Sequence, residues 1–377
     1  MKTNNIPTFL VSLYVFLTLL YSIFSSGTTS PVGLMLWGTL LSVLIVSLSQ
    51  LNFKGYGIFL SAVFIYGIVH IAVADTSPLT MGLVFANILL YICLIQIPIR
   101  YIYIVRLLIA FFIINLLFNL GQFYDSISAT RVNDYFHGFL NNANTNGLYA
   151  AEVLAATFLF VKNKKIRYFV IILFFIYLIG CHSRNLLLFC LISYAFYRMQ
   201  TSRFSKWSIP LFLIFISGSL YYLIAIEPNM AISGFEVFGK EASSAGRSSQ
   251  IIRIISHFDL TLFGVGFDLP NNYSIQTTQY AVHNMYINSL YSMGIVYFIL
   301  YIYFIYSKVY KKLQSPLAKA FLLSFNIYFM FEPGTFFYVG MFSIPIIILL
   351  LKLNQEQNEN RALYPRFQHR RSRNYAD

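Results

Sequence analysis

The stretch LTMGLVFANILLYICLIQIPIRYIYIVRLLIAFFIINLLFNL, from Leu79 to Leu120, decides the fold. Its only charged residues are Arg100 and Arg106, so two long apolar runs lie on either side of a short connection. A run of about 18 or more apolar residues is long enough to cross a hydrocarbon core of about 30 Å as a helix. The stretch therefore predicts two transmembrane helices, about 79–97 and 102–120.

Apolar runs of this kind recur along almost the whole chain. Of its 377 residues, 58% are hydrophobic and only 10% are charged, whereas a typical soluble domain is about 25% charged. We therefore predict an all-α, polytopic transmembrane helical bundle of about twelve helices, which forms a single membrane domain over residues 1–351. The other predicted spans are about 6–24, 31–49, 56–74, 147–161, 168–181, 185–197, 209–226, 284–306, 317–331 and 335–351.

The positions of the basic residues predict the orientation of the bundle. Cytoplasmic loops are enriched in Lys and Arg. With a cytoplasmic N-terminus, every basic residue falls on that side except Arg131, Arg184, Lys240, Arg247 and Arg253. Both termini are then cytoplasmic, and the long loops, about 121–146 and 227–283, lie outside. Residues 352–377 form a basic cytoplasmic tail, interpreted as a solvated anchor to anionic lipid. The first span is expected to be retained, although the small residues at 25–27 would also suit signal cleavage.

Composition and motifs also limit the function. The net charge of +13 reports orientation and contact with membrane lipids in such a protein, so no nucleic-acid partner is expected. Cys93, Cys181 and Cys190 lie in or at the end of apolar runs without a CxxC motif, so they are expected to be packing residues. The chain lacks a DxD, a P-loop and a dinucleotide fingerprint. We therefore expect no metal and no cofactor, and a substrate that arrives already activated on a lipid.

Arginines on the outer side run against the orientation bias and need a reason. Arg184 lies in GCHSRNLLLF, where a span begins, and Arg247 and Arg253 lie in SSAGRSSQIIRIISHF within the large outer loop. The guanidinium fork suits phosphate oxygens, so an anionic lipid headgroup is the natural partner. The alternative is a snorkelling side chain or an ion pair with an acid, such as Glu227, Glu236 or Asp268.

The rest of the large outer loop contains two further patterns. Residues 248–258 place apolar side chains at helical spacing, which predicts a short amphipathic helix lying on the outer leaflet. Gly264 and Gly266 in LFGVGFD allow a tight turn or a close backbone approach to a ligand.

His283 is the first residue of the next apolar span, on the outer side. A neutral imidazole can accept a proton from a hydroxyl, and its unperturbed pKa of about 6.5 suits work near neutrality. A cap or an interfacial role is the alternative for a histidine at a helix end. Asn284 and Asn288 stand one helical turn apart, and polar faces that enter a bilayer tend to look into a protein cavity.

The first outer loop carries RVNDYFHGFLNNANTNGLYAAE, residues 131–152. Asn141, Asn142, Asn144 and Asn146 offer donors and acceptors suited to sugar hydroxyls, and Tyr135 and Phe136 could stack on sugar rings. An ordinary Asn-rich turn and helix cap is the equal alternative. Glu152 is costly in lipid, so it is expected to face a cavity, as a base or paired with an arginine.

Taken together and in order, these segments resemble the O-antigen polymerase and O-antigen ligase superfamily of bacterial polysaccharide enzymes. The matching pieces are NNANTNG before a span, SRN at the outer start of a span, GR followed by LFGVGF in the large loop, and HNMYINSLYSMGI entering the tenth span. They cover about Asn141 to Ile295. The resemblance implies transfer of an undecaprenyl-pyrophosphate-linked glycan at the periplasmic face of the inner membrane. It also brings a chain-length regulator and a flippase of the same pathway as candidate partners.

The resemblance also assigns roles by position. Arg184 and Arg247 match the pair that holds the pyrophosphate, and His283 matches the histidine beside the acceptor, whereas Arg253 has no firm match. The large loop is shorter than is usual and lacks a clear tryptophan after Arg247. We expect a polymerase, which extends one lipid-linked repeat unit with the glycan of another. The alternatives are a ligase that transfers the glycan to lipid A core, and a lipid-linked oligosaccharide flippase or other transporter.

Overall fold

A computed structural model describes residues 5–24, 31–47, 50–128, 135–140, 142–226, 236–237, 240–241, 247–267, 269–278, 282–332, 335–338 and 343–363. These residues form helices and connections, apart from two strands of two residues each that pair antiparallel, β1 (Glu236–Val237) and β2 (Lys240–Glu241). The all-α class predicted from the sequence is therefore confirmed.

Most of the helices coincide with a predicted span. They are α1 (Asn5–Phe24), α2 (Pro31–Ser47), α3 (Gly57–Val73), α4 (Pro78–Gln96), α5 (Tyr101–Phe118), α6 (Leu120–Ser128), α7 (Ala143–Phe160), α8 (Lys164–Cys181), α9 (Arg184–Gln200), α10 (Ser208–Tyr221), α11 (Arg247–His257), α12 (Leu269–Thr278), α13 (Met285–Tyr303), α14 (Pro316–Tyr328) and α15 (Ser343–Leu363). Short π or 3-10 turns extend α10, α13 and α14 to Ile226, Tyr310 and Phe331.

Within the described residues, five helical segments are both long and apolar enough to cross a membrane. They are Asn5–Phe24, Pro78–Gln96, Tyr101–Phe118, Ser205–Ile226 and Met285–Tyr310. The outward surfaces of many helices are apolar as well: Ile45 is 68% exposed, Ile58 91% and Phe118 78%. Large exposed apolar surfaces are unusual on soluble monomers, so this surface is compatible with membrane insertion.

The last predicted span is misplaced. Helix α15 begins at Ser343, later than the expected 335, and it continues through the polar residues 354–363. Asn354 Nδ2 donates to Ile97 O at 2.9 Å, and Glu356 Oε2 accepts from Gln314 N at 2.7 Å. These contacts fasten Asn354 and Glu356, in the first part of the predicted tail, to neighbouring connections of the bundle. The rest of the predicted tail, 364–377, lies outside the described residues.

Helix α11 has the predicted amphipathic pattern, but its apolar face is not buried where the sequence predicts. Ile251 and Ile254 are almost fully buried, and they pack with Leu223, Val282 and Ile287. The apolar face of α11 therefore packs against the protein itself, and not on a lipid leaflet as expected.

Helix α13 is interrupted at Gly294, whose backbone has φ 84° and ψ 176°. The loop at 261–266 fills the interruption. Val265 N and Gly266 N donate to Tyr291 O and Ser292 O, both at 3.0 Å, while Ile295 N and Val296 N donate to Thr261 O and Leu262 O, both at 3.1 Å. The loop does make a close backbone approach at Gly264, but it approaches the backbone of α13 and not a ligand as expected. It takes up backbone groups that the break would leave unpaired.

Candidate functional site

Helices α7, α9 and α13 each begin with a side-chain cap of the kind their sequences favour. Asn142 Oδ1 accepts from Asn144 N at 2.8 Å at the start of α7, and Ser183 Oγ accepts from Leu186 N at 3.3 Å at the start of α9. Asn284 Oδ1 accepts from Ile287 N at 3.0 Å at the start of α13. Asn and Ser are preferred in this position because their oxygens satisfy backbone N–H groups of the first turn.

The end of α14 and the segment that follows it join the three helix starts. Tyr328 Oη donates to Asn144 O at 3.0 Å, and Asn185 Nδ2 donates to Glu332 Oε1 at 2.9 Å. Asn288 Nδ2 donates to Thr335 Oγ1 at 3.3 Å. The N-terminal ends of α7, α9 and α13 therefore lie at the same end of the bundle, each bonded to the end of α14 or to the residues that follow it.

A close approach of α7 to α9 tightens this arrangement. A Cβ at Gly147 would lie 2.9 Å from Ser183 Oγ and 3.5 Å from Tyr328 Oη, so only glycine fits without displacing its neighbours. Gly147 is the last residue of the NNANTNG segment, and its lack of a side chain lets the two helix starts lie side by side.

Arg184 is the first residue of α9 and is half-buried. Burial raises the pKa of the Tyr135 phenol, and the positive charge of Arg184 acts in the opposite direction, so the two side chains are electrostatic neighbours. The ring of Tyr135 also lies 5.5 Å from that of His182, centroid to centroid. The segment that begins at Tyr135 thus runs beside the turn that presents Arg184.

The two aromatic residues predicted to stack on sugar have different environments. Tyr135 is half-buried beside Arg184, whereas Phe136 is fully buried, with its ring 5.5 Å from Phe123 and 5.2 Å from Tyr177. Phe136 is therefore a core residue, and the expectation that it stacks on a sugar ring is wrong.

The two predicted asparagines also differ. Asn144 is half-buried, and its carbonyl is held by Tyr328. Asn146 is fully buried; its Oδ1 accepts from Asn115 Nδ2 at 2.8 Å, and its Nδ2 lies 3.6 Å from Cys181 Sγ. These contacts favour an interhelical structural role for Asn146, in contrast to the more accessible Asn144.

Glu152 lies two turns further along α7 and is fully buried. Neither of its carboxyl oxygens has a hydrogen-bond partner among the described residues. A buried polar group without a partner costs about 1–3 kcal/mol, so natural proteins seldom retain one without a reason. Asn284 Nδ2 is likewise buried without a described partner, although its Oδ1 forms the cap.

Helix α11 brings the remaining candidates to the start of α13. Gln250 is buried, and its Oε1 accepts from His283 N at 3.4 Å. Arg247 is the first residue of α11, three positions before Gln250, and its side chain lies outside the described part of the structure. His283 is half-buried just before α13, and Arg253 is exposed on α11.

Glu227, Glu236 and Asp268 are the candidate acidic partners of the outer arginines. Glu227 and Asp268 lie outside the described residues, and only the backbone of Glu236 is described. The structure adds an acid that sequence reasoning missed. Glu332 is 1% exposed and accepts from Asn185, the residue next to Arg184. Its signal was available, because Glu332 stands in the apolar segment FMFEPGTFF.

Within the described residues, no group of three or more His, Cys, Asp and Glu side chains is arranged to hold a metal ion. No protein-family model matches the chain, and no curated protein matches it either.

Proposed function

We propose that the chain crosses the bacterial inner membrane twelve times, with both termini in the cytoplasm. The distribution of Lys and Arg supports this orientation. The contacts between helices support it as well: α7, α9 and α13, the sixth, eighth and tenth predicted spans, begin at one end of the bundle, and α14, the eleventh, finishes there. That end is the periplasmic one in the proposed topology.

We further propose that the protein is an O-antigen polymerase. It transfers a growing undecaprenyl-pyrophosphate-linked glycan onto a sugar hydroxyl of another lipid-linked repeat unit at the periplasmic face. The observation that supports the proposal is that the helix starts beside Arg184 and His283 lie at the same end of the bundle, where Asn185 bonds to Glu332 and Asn288 bonds to Thr335.

The proposed chemistry assigns a role to each candidate residue. The bond between the anomeric carbon and the pyrophosphate oxygen breaks, and negative charge develops on the leaving pyrophosphate. Arg184 and Arg247 stabilise this charge, and the partial positive charges at the starts of α7, α9 and α13 add to the field. A new bond forms between the same carbon and the acceptor oxygen, whose proton passes to His283.

The accessible polar groups would hold the sugar. Asn144 and the unsatisfied Nδ2 of Asn284 supply hydrogen bonds near the helix starts. Arg253 lies on the exposed side of α11, where it would contact the headgroup region. Glu152, deeper in the bundle, is the remaining candidate.

The experiment is complementation of strains that lack either the polymerase or the ligase, followed by electrophoresis of lipopolysaccharide. Restored ladders in the polymerase-deficient strain are expected. Rescue of the ligase-deficient strain alone would replace this proposal with the ligase, which uses the same donor and a different acceptor.

The residue assignments are tested in the same assay. Arg184→Ala, Arg247→Ala and His283→Ala are expected to abolish ladders at normal protein levels. Arg203→Ala is the matched control, because Arg203 is exposed at the opposite end of the bundle and packs over Phe204. Normal ladders in both arginine variants would eliminate the pyrophosphate assignment.

A further inference from the structure

A half-open groove of about 500 Å³ lies at the other end of the bundle, between the α4–α5 and α7–α8 connections. Its lining consists of the residues at 99–102, the residues at 160–163, and Ile166. These residues supply two cationic side chains, Arg100 and Lys162, and no acid. The volume is in the range of sites that hold a small organic ligand.

The groove has an apolar wall beneath the cations. Tyr101 and Phe160 stack with ring centroids 4.6 Å apart, and Ile99, Ile102 and Val161 surround them. Ile166 is 40% exposed at the rim. An apolar floor with cations at its edge suits a molecule that combines an anionic head with a hydrocarbon tail.

The backbone groups around the groove are also arranged for an anion. The carbonyl oxygens at the end of α7 would repel an anion. Arg167 offsets this because its Nε donates to Val161 O at 2.5 Å and its Nη2 donates to Phe158 O at 3.2 Å. The first turns of α5 and α8 border the same space and add a smaller favourable contribution.

The protein's own C-terminal tail is a poor occupant of this cationic groove because most of its charged residues are basic. The undescribed residues 364–377 carry one acid, Asp377, and four arginines: Arg366, Arg370, Arg371 and Arg373. Glu359 interacts electrostatically with Tyr101, but it does not line the groove. Its carboxylate accepts from Gln355 Nε2 at 2.8 Å. A negatively charged occupant from outside the chain fits best.

We propose that this groove binds the headgroup and first acyl carbons of an anionic phospholipid in the cytoplasmic leaflet. Arg100 and Lys162 contact the phosphate, and the Tyr101–Phe160 pair contacts the glycerol and acyl region. The inference requires insertion of the chain in a membrane, but it is independent of the proposed polymerase activity.

The test is thermal unfolding of the purified, delipidated full-length protein in a neutral detergent. Phosphatidylglycerol, phosphatidylcholine and inorganic phosphate are titrated separately. Phosphatidylglycerol is expected to raise the unfolding temperature at concentrations where the other two have little effect. Removal of both cations in Arg100→Gln/Lys162→Gln should weaken the apparent phosphatidylglycerol affinity by roughly thirtyfold, since each basic residue near a lipid surface contributes about fivefold.

The control is Lys311→Gln/Lys319→Gln, which removes the same charge at the same end. Those lysines pack over Tyr306 and Tyr310, at 4.7 and 5.3 Å, and do not line the groove. If the double groove variant is not monodisperse, Lys162→Gln alone is measured, with a loss of about fivefold expected. Equal responses to both lipids, an unchanged affinity in the groove variant, an equal loss in the control, or saturation by inorganic phosphate would each overturn the proposal.

Discussion

Replacement of Gly264 by alanine tests the interlock between the 261–266 loop and the broken helix α13. Gly264 has φ +80°, and a Cβ there would overlap the backbone carbonyl of Ser292. The left-handed backbone costs a non-glycine residue about 1–2 kcal/mol. The overlap pushes the loop away from α13, and the hydrogen bonds from Val265 N and Gly266 N contribute about 1 kcal/mol each. Gly264→Ala should therefore lower the free energy of unfolding by about 3–4 kcal/mol.

Gly82→Ala is the matched control. Gly82 lies inside α4 with an ordinary helical backbone and no atom within 4 Å of an added Cβ. Alanine is favoured over glycine in a helix interior, so this change should stabilise the protein by about 0.5–1 kcal/mol. Gly294→Ala repeats the main test from the other side of the contact, because its φ is +84° and its Cβ would overlap Leu262 O.

The assay can use the protein's own thiols. Cys93 and Cys181 are reduced thiols that are 1% and 0% exposed, so a thiol-reactive dye labels them only as the purified protein unfolds in detergent. The labelling transition should fall by several degrees in Gly264→Ala and Gly294→Ala and should not fall in Gly82→Ala. A Gly264→Ala transition that coincides with that of the control would show that the loop does not support α13.

Three further predictions concern the candidate site. Glu332→Ala should reduce lipopolysaccharide ladders and the unfolding temperature, because the buried Asn185 amide loses its acceptor. Glu332→Gln keeps an acceptor and should retain most of the ladders and of the unfolding temperature. Equal losses in the two variants would contradict this role of Glu332. Asn146→Ala should destabilise the protein by about 1–3 kcal/mol in the thiol assay, since Asn115 Nδ2 loses its partner; an unchanged transition would contradict its structural role. Glu152→Gln preserves shape and removes the carboxyl, so ladders should be lost at an unchanged unfolding temperature; normal ladders would exclude Glu152 from the site.

The sequence alone predicts those structural features that depend on one continuous segment of the chain. Residues 79–120 predict two helices because lipid-length apolar runs leave few other structures for the backbone, and α4 and α5 follow the predicted bounds closely. The amphipathic period of 248–258 predicts α11 in the same way. Candidate caps such as Asn142 are also local, since one residue satisfies the turn that follows it.

Properties that join distant residues could not be predicted in this way. Glu332 and Asn185 are separated by 147 positions, and nothing in either segment specifies the other. Phe136 looked suitable for sugar stacking because its aromatic character is visible in sequence, while its burial against Tyr177 is not. The late start of α15 depends on how residues 335–338 fold back on α13, where Phe336 N donates to Ser289 Oγ at 3.0 Å.

The break in α13 also bears on the choice between an enzyme and a transporter. Transporters use discontinuous helices because the freed carbonyl and N–H groups can bind an ion or substrate near the membrane midplane. In α13 the protein's own residues bond to these backbone groups. The 261–266 loop pairs with the carbonyls before the break and with the N–H groups after it. Tyr66 Oη donates to Met293 O at 2.5 Å. His70 Nδ1 lies 2.5 Å from Phe263 O and its Nε2 lies 2.9 Å from Thr76 Oγ1, which holds the loop to α3. A break filled by its own chain cannot bind or release cargo without loss of these bonds, so the arrangement favours a fixed α13 over the moving broken helix of an alternating-access transporter.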